Sequence, residues 1–250
     1  MKNRLLITFM GLSCFLISTI AANANSLISL SEIQGAWGKE DRNEKQMLLI
    51  VNDYFSISSY NLIEKKFIHT WGGTIQKEGD EYKILQEWNS IDSTQIGSNQ
   101  SILVQIKKNK LSFGKITDLN KLEDVSIGPL LGVWIISGNY TNDVVSKRAN
   151  PFYPRRTMKI LSGKYFQWIS YNVQSKKFFD TGGGMYQAEN GKYTEQVQFF
   201  TKAVSSIGKE LAFTYSINNG DWRHKGKKST GGDLDECWTE RKIIEGLFSK

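Results

Sequence analysis

Residues 47–82 and 158–193 are one pattern written twice, and that repeat limits what this chain can fold into more than any other feature. At a constant offset of 111, fifteen of thirty-six positions are identical. They include Met47/Met158, Tyr54-Phe55 with Tyr165-Phe166, Ser59-Tyr60-Asn61 with Ser170-Tyr171-Asn172, and Lys65-Lys66-Phe67 with Lys176-Lys177-Phe178. Thr70/Thr181, Gly72-Gly73 with Gly183-Gly184, Gln76/Gln187, Glu78/Glu189 and Tyr82/Tyr193 complete the set. Self-similarity at a fixed spacing marks a duplicated structural unit. The expectation is two copies of one domain, at 25–126 and 127–250, after a leader at 1–24. The boundary falls near Ile127-Gly128-Pro129, where the strand pattern lapses and a proline appears.

The copies read as antiparallel strands. From Lys164 to Tyr171, Phe166, Trp168 and Ser170 share one face while Tyr165, Gln167, Ile169 and Tyr171 share the other. The first copy repeats this parity, with Phe55, Ile57 and Ser59 against Tyr54, Ser56, Ser58 and Tyr60. A period of two is a strand signal. The Phe55/Phe166 face is apolar in both copies and is predicted to point inward. Asn190-Gly191 supplies a type I′ hairpin turn. A strand from Tyr193 to Phe199 follows, with Tyr193, Val197 and Phe199 on one face; then come Leu211, Phe213, Tyr215 and Ile217. Asn218-Asn219-Gly220 turns the chain into Trp222–Lys225, and Leu234–Arg241 closes the copy. No long stretch has a helical period; only Ser29–Gln34 and Ser126–Leu131 resemble brief helical turns. Short, evenly spaced strands with Gly and Asn turns predict an all-β fold, an up-and-down barrel or sandwich in each copy.

The first twenty-four residues read as an export signal: Lys2 and Arg4, an apolar run from Leu5 to Ile20, and Ala22-Asn23-Ala24 before the cleavage point. A membrane span is the competing reading, but the apolar run is shorter than the ~20 residues required. Leu12-Ser13-Cys14 faintly resembles a lipoprotein box, so lipid anchoring at Cys14 is the lesser alternative. The expected compartment is periplasmic or extracellular, in a Gram-negative bacterium, with no transmembrane span in the mature chain. Loss of the leader lowers the net charge from +7 to +5. That excess suits anionic envelope surfaces and does not call for nucleic acid. Cys237 is then the only cysteine, which excludes an internal disulfide, so each copy must rely on an apolar core.

Each copy opens with Gly-x-Trp, Gly35-Ala36-Trp37 and Gly132-Val133-Trp134, after a short helical turn and before a meander of strands. This resembles the calycin group, the lipocalins and their lipocalin-like bacterial relatives. The second copy, over about residues 132 to 241, is similar in particular to secreted bacterial lipocalin-like domains of unknown function. The matching runs include Met158–Gly163, Phe166-Gln167-Trp168, Phe178–Gly184, Gly191–Glu195 and Trp222–Gly226. The resemblance implies two tandem barrels, each plugged at one end by its tryptophan, Trp37 or Trp134. It further implies a basic residue of the last strand stacked on that tryptophan, which is Arg241 in the second copy. The first copy departs: its last strand, around Leu122 to Val125, is short, and only Lys121 is available to substitute.

Candidate chemistry is sparse. Thr181-Gly182-Gly183-Gly184 precedes a strand rather than a helix and reads as a barrel corner, not a phosphate loop. His69 aligns with Asp180 and His224 with Phe113, so neither histidine recurs, and no zinc-ligand spacing exists. No enzyme, metal or cofactor is expected. Arg223-His224-Lys225-Gly226-Lys227-Lys228, with Arg155 and Arg156, is a candidate patch for an anionic glycolipid or a solvated hairpin tip. Seven aromatics of the second copy, Phe166, Trp168, Tyr186, Phe199, Phe213, Tyr215 and Trp222, are candidates to line a ligand cavity. An eight-stranded barrel is just wide enough either to fill with side chains or to hold one small ligand. The leading expectation is a small apolar or amphipathic ligand in the second barrel, with the 135–157 segment near its mouth. The rival is an interaction or structural module of the envelope, its barrels packed solid and its outer face bound to a protein partner.

Overall fold

A computed structural model describes residues 28–124, 128–152, 155–229 and 231–248. Residues 1–27, which include the expected leader and Cys14, lie outside the described residues. The first copy begins with α1 (Leu30–Ile33) and continues as β1 (Gly35–Asp41), β2 (Glu44–Val51), β3 (Tyr54–Asn61), β4 (Lys66–Glu78) and β5 (Glu81–Asn89). It ends with β6 (Asn99–Ile102), β7 (Val104–Lys107), β8 (Lys110–Phe113) and β9 (Ile116–Glu123). The second copy comprises β10 (Gly132–Thr141), β11 (Val144–Lys147), β12 (Arg156–Ser162), β13 (Tyr165–Asn172) and β14 (Lys177–Glu189). It is completed by β15 (Lys192–Phe200), β16 (Glu210–Asn218), β17 (Asp221–Lys227), β18 (Asp233–Glu240) and α2 (Arg241–Phe248). All pairings are antiparallel and join neighbours in sequence, apart from β10 with β12 and the pairings that close the barrels. The fold is two tandem all-β barrels. The turns are as expected: Asn190 and Gly191 have φ of 51° and 77°, the left-handed pair that a two-residue hairpin requires. Of the two expected helical turns, the first is α1; the second is a single hydrogen-bonded turn from Gly128 O to Leu131 N, with Ser126 and Ile127 outside the described residues.

β10 pairs with β18 and closes the second barrel, with β11 as a hairpin extension of β10. In the first copy β1 pairs with β9, so the seam that looked doubtful is made: β9 runs Ile116–Glu123 and places Lys121 opposite Trp37. The Lys121 ammonium lies 4.3 Å from the Trp37 ring centroid and donates to Gln34 O at 2.7 Å. The discontinuity falls at Leu103 instead. There β6 pairs only with β5 and β7 only with β8, whereas the second copy uses one strand, β16, for both pairings. Trp37 and Trp134 are both buried, and each indole N–H donates to the carbonyl four residues earlier, Ile33 at 2.8 Å and Leu130 at 3.0 Å. Gly35 precedes the first of them at φ 120°, and a Cβ there would lie 2.8 Å from Glu123 O. The glycine of Gly-x-Trp lets the seam close.

Arg241 does not stack on Trp134. The β10–β18 register puts Glu240 opposite Trp134, and Arg241, one residue on, opens α2 and points into the contact between the barrels, where it meets Glu87, Tyr54 and Tyr171. The opposite face of β3 and β13, that of Tyr60 and Tyr171, is buried as well, because the two barrels pack against each other through it. Counterparts 111 apart face one another there, as in a symmetric dimer. Phe67 stacks on Phe178 at 6.3 Å, and Ser56 donates to Gln167, its own counterpart. Tyr60 stacks on Phe199 at 4.7 Å, while their counterparts Tyr171 and Trp88 pair at 5.2 Å. Gln167 Nε2 reaches Thr70 Oγ1 at 2.9 Å and Thr181 Oγ1 at 3.0 Å, bridging both copies of one repeated threonine.

One charge cluster breaks the symmetry. Arg241 grips the buried Glu87 with two bonds of 2.7 and 2.6 Å, and Arg156 and the Tyr171 hydroxyl add bonds at 3.0 and 2.7 Å. Burial alone would raise the Glu87 carboxyl, but Arg241, Arg156 and Tyr171 overcome it and hold it at about 2, below its ordinary 4.5. A depressed carboxylate adds stability that is present above its unfolded value and lost as pH falls through the folded one. The interface should therefore weaken from about pH 4.5 toward about pH 2. Glu87→Ala leaves two guanidiniums facing an apolar contact, and equilibrium unfolding should show a loss of about 3–5 kcal/mol. Glu87→Leu combined with Arg241→Leu should recover most of that loss.

Candidate functional site

The copies share a fold but not an interior. Matching registers make Leu48 the counterpart of Lys159, Ile84 of Glu195 and Phe113 of His224. In the first barrel these positions belong to a continuous apolar cluster that includes Trp37, Phe55 and Leu119. In the second barrel they are charged or polar, although Lys159, Glu195 and His224 are each no more than 5% exposed. An ion pair moved out of water recovers its desolvation cost only with very good geometry. Stability alone gives no reason to replace three apolar residues in this way.

The geometry is well made. Lys159 Nζ lies 2.8 Å from Glu195 Oε1, which also accepts from the Tyr193 hydroxyl at 2.9 Å. The same ammonium sits 5.0 Å from the Trp222 ring centroid, 5.1 Å from Tyr193 and 5.2 Å from Trp238, within cation–π range. His224 packs 4.3 Å from the Phe213 ring, and its Nδ1 lies 3.6 Å from Glu236 Oε2, beyond hydrogen-bond reach. Among the described residues neither ring nitrogen of His224 has a hydrogen-bond partner, and Trp222 Nε1 likewise has none. Glu236 accepts from Trp238 Nε1 at 3.0 Å.

These groups border a half-open cavity of about 270 Å³ inside the second barrel. Phe166, Trp168, Phe200, Phe213 and Trp238 form its walls, and Lys159, Glu195, His224 and Glu236 supply its polar groups. Thr157, Lys202, Lys228 and Leu234 lie at the strand ends remote from Trp134 and form the rim. The cavity depends on a bulge. Opposite Gly183 and Gly184 the register slips by one, leaving Gln198 as the extra residue of β15. A Cβ on Gly184 would lie 2.1 Å from Gln196 O, so the tight crossing requires glycine. Up to Val197 the odd-numbered residues face in; beyond the bulge Phe200 faces in and Phe199 faces out.

The seven aromatics therefore separate. Phe166, Trp168 and Phe213 line the cavity. Trp222, Tyr186 and Tyr215 stay inside the barrel in the cluster around Trp134, with Trp222 5.7 Å from that ring. Burial raises the Tyr186 hydroxyl to about 12. Phe199 leaves the barrel for Tyr60 and Phe67 of the first copy. Lys159, Glu195, Phe200 and Glu236 were not among the residues singled out from the sequence. The signal for the first two was the inward parity itself, once Leu48 and Ile84 are set beside them.

The basic run does not act as one surface. Trp222 and His224 point inward, while Arg223 points outward and is held by Asp143 and Asp235, each at 2.7 Å. Arg155 lies 3.5 Å from Asp180, and Arg156 is turned to Glu87. In the 135–157 segment, β10 and β11 form a hairpin and Phe152 packs against the inter-barrel cluster, with Tyr153 and Pro154 outside the described residues. Among the described residues no three His, Cys, Asp or Glu are grouped to hold a metal ion, and no helix is long and apolar enough to cross a membrane. The chain matches no family model and no curated protein.

Burial, and then the Lys159 ammonium, push the His224 imidazole below its ordinary 6.5. It is neutral at neutral pH. Below about pH 6.5 the unfolded chain binds a proton that the folded chain refuses, so His224 subtracts stability as pH falls. His224→Phe, which installs the residue of the first copy, should flatten the fall in Tm between about pH 6.5 and about pH 5 in a thermal-unfolding series.

Proposed function

We propose that this chain is an exported, non-enzymatic binding protein that holds one small amphipathic ligand in its second barrel. The first barrel acts as its packed structural partner. The observation that carries this reading is the contrast between the two interiors. The first copy fills the barrel with apolar side chains, and the second gives up part of that core for a half-open cavity with buried polar groups. Sites of this kind, mostly apolar with a few convergent polar groups, are the usual form of a small-molecule pocket. The unpartnered nitrogens of His224, a residue that borders the cavity, support the same reading, since a buried polar group left unmet carries a desolvation penalty that a ligand relieves. Export is supported by the leader read at residues 1–24.

The test follows from the contrast. Native mass spectrometry of the mature chain purified without detergent should show one added mass, released by solvent extraction. The triple variant Lys159→Leu, Glu195→Ile, His224→Phe writes the first interior into the second. It should lose the added mass and gain about 1–4 kcal/mol in equilibrium unfolding, the range seen when buried ion pairs give way to well-packed apolar groups. A clean mass from the unaltered protein, with no uptake from a lipid extract, would overturn the reading. The envelope interaction module with ligand-free barrels would then take its place.

A further inference from the structure

The charges inside the cavity do not cancel, and the imbalance has a sign. Two carboxylates, Glu195 and Glu236, face one ammonium, Lys159. Lys159 is committed to Glu195 at 2.8 Å. The polar partners of the Glu236 carboxylate among the described residues are the Trp238 indole N–H at 3.0 Å and the His224 ring at 3.6 Å. Both are neutral at neutral pH. A second negative charge thus borders an aromatic-walled cavity, and the one buried ammonium that acts on it, Lys159, is the one already paired with Glu195. At the rim, Lys202 is held by Asp180 at 2.9 Å and Lys228 is exposed, where water and salt screen it.

We propose that the second-barrel cavity selects a small organic cation, an ammonium compound whose charged head meets Glu236 and His224 between aromatic walls. This inference rests on the binding reading above and adds the ligand's chemical class. Three features converge on it. Glu236 supplies the counter-charge. Phe166, Trp168, Phe200, Phe213 and Trp238 present the ring faces and edges that favour a desolvated cation. The unprotonated nitrogen of neutral His224 accepts a hydrogen bond from an ammonium N–H. The barrel already demonstrates the principle on itself, since Lys159 is an ammonium held among Tyr193, Trp222 and Trp238 rings beside a carboxylate. An anion would instead place like charge beside Glu236.

The arrangement also predicts a pH response. The groups facing His224 are Lys159 from β12, Tyr193 and Glu195 from β15, Phe213 from β16 and Glu236 from β18. When His224 takes a proton in acid, it pairs with Glu236 and competes with a bound ammonium.

The experiment titrates the mature protein with three probes of one shape: 2-phenylethylammonium, 2-phenylethanol and phenylacetate. Tryptophan fluorescence is the signal, because Trp168 and Trp238 line the cavity. At about pH 7.5 the cation should bind roughly tenfold or more tightly than the alcohol, with phenylacetate weakest. The advantage should shrink at about pH 5; in His224→Phe, which lacks the acceptor, it should be smaller at about pH 7.5 but no longer change between the two pH values. Glu236→Gln should remove the preference for the cation while leaving alcohol binding intact, which also shows that the variant is folded. Equal or tighter binding of the alcohol or phenylacetate would overturn the cation assignment and leave the binding reading standing. No response to any of the three would overturn both.

Discussion

The packing of the two barrels across an approximate two-fold axis is the constraint on which the rest of the structure depends. Gln167 sits where the axis passes, taking a bond from Ser56 and giving one to each of Thr70 and Thr181. A buried amide bonded on both sides is costly to disturb, because a slip of either barrel would leave its donors unmet. The Glu87–Arg241–Arg156 cluster adds a second fixed point off the axis. Together these bonds settle which faces the barrels present to each other, while the apolar contacts of Tyr60, Phe67, Trp88, Tyr171, Phe178 and Phe199 supply the buried area.

This arrangement accounts for what could be read in the chain and what could not. The duplication, the all-β class and the strand faces near Phe166 rest on the fixed-offset repeat, on local patterns of period two and on turn chemistry, and these are legible. The repeated identities mark a duplicated unit without saying what each position packs against. Several of them, Met47/Met158, Tyr60/Tyr171, Phe67/Phe178 and Thr70/Thr181, lie at or beside the contact between barrels. A two-fold contact uses the same residue from both halves, so symmetry rather than barrel filling relates these identities. Nothing in a strand's own alternation tells a face that meets solvent from one that meets a second barrel.

Two misplacements have smaller causes. Phe199 continues the parity of Tyr193 and Val197 on paper, but one extra residue at Gln198 inverts the strand after it, and parity arguments do not see a bulge. Its counterpart at Glu87 inverts β5 in the same way, and there the displaced side chain is the carboxylate that binds the partner barrel. Arg241 failed as a plug by a single residue of register. Lys121, the substitute that the sequence offers, makes the corresponding contact in the first copy because β9 and β1 bring it opposite Trp37.

The interface and the cavity share a wall, and this ties the architecture to the proposed chemistry. On β12, Met158 and Ile160 face the first barrel while Lys159 faces the cavity between them. On β13, Gln167 and Ile169 belong to the contact, and Phe166 and Trp168 line the cavity. β18 carries Glu236 and Trp238 and runs directly into Arg241, which is locked on Glu87. A barrel interior holding an ion pair and an unpartnered histidine gains less from its own core than an apolar one. The packed first barrel supports the strands from behind, so the loss in one interior is offset by the contact outside it. Precise polar groups need rigid supports whose own positions are fixed by packing. On this view the first copy stays solid so that the second can afford a charged cavity, and the two interiors diverged because the contact between them did not.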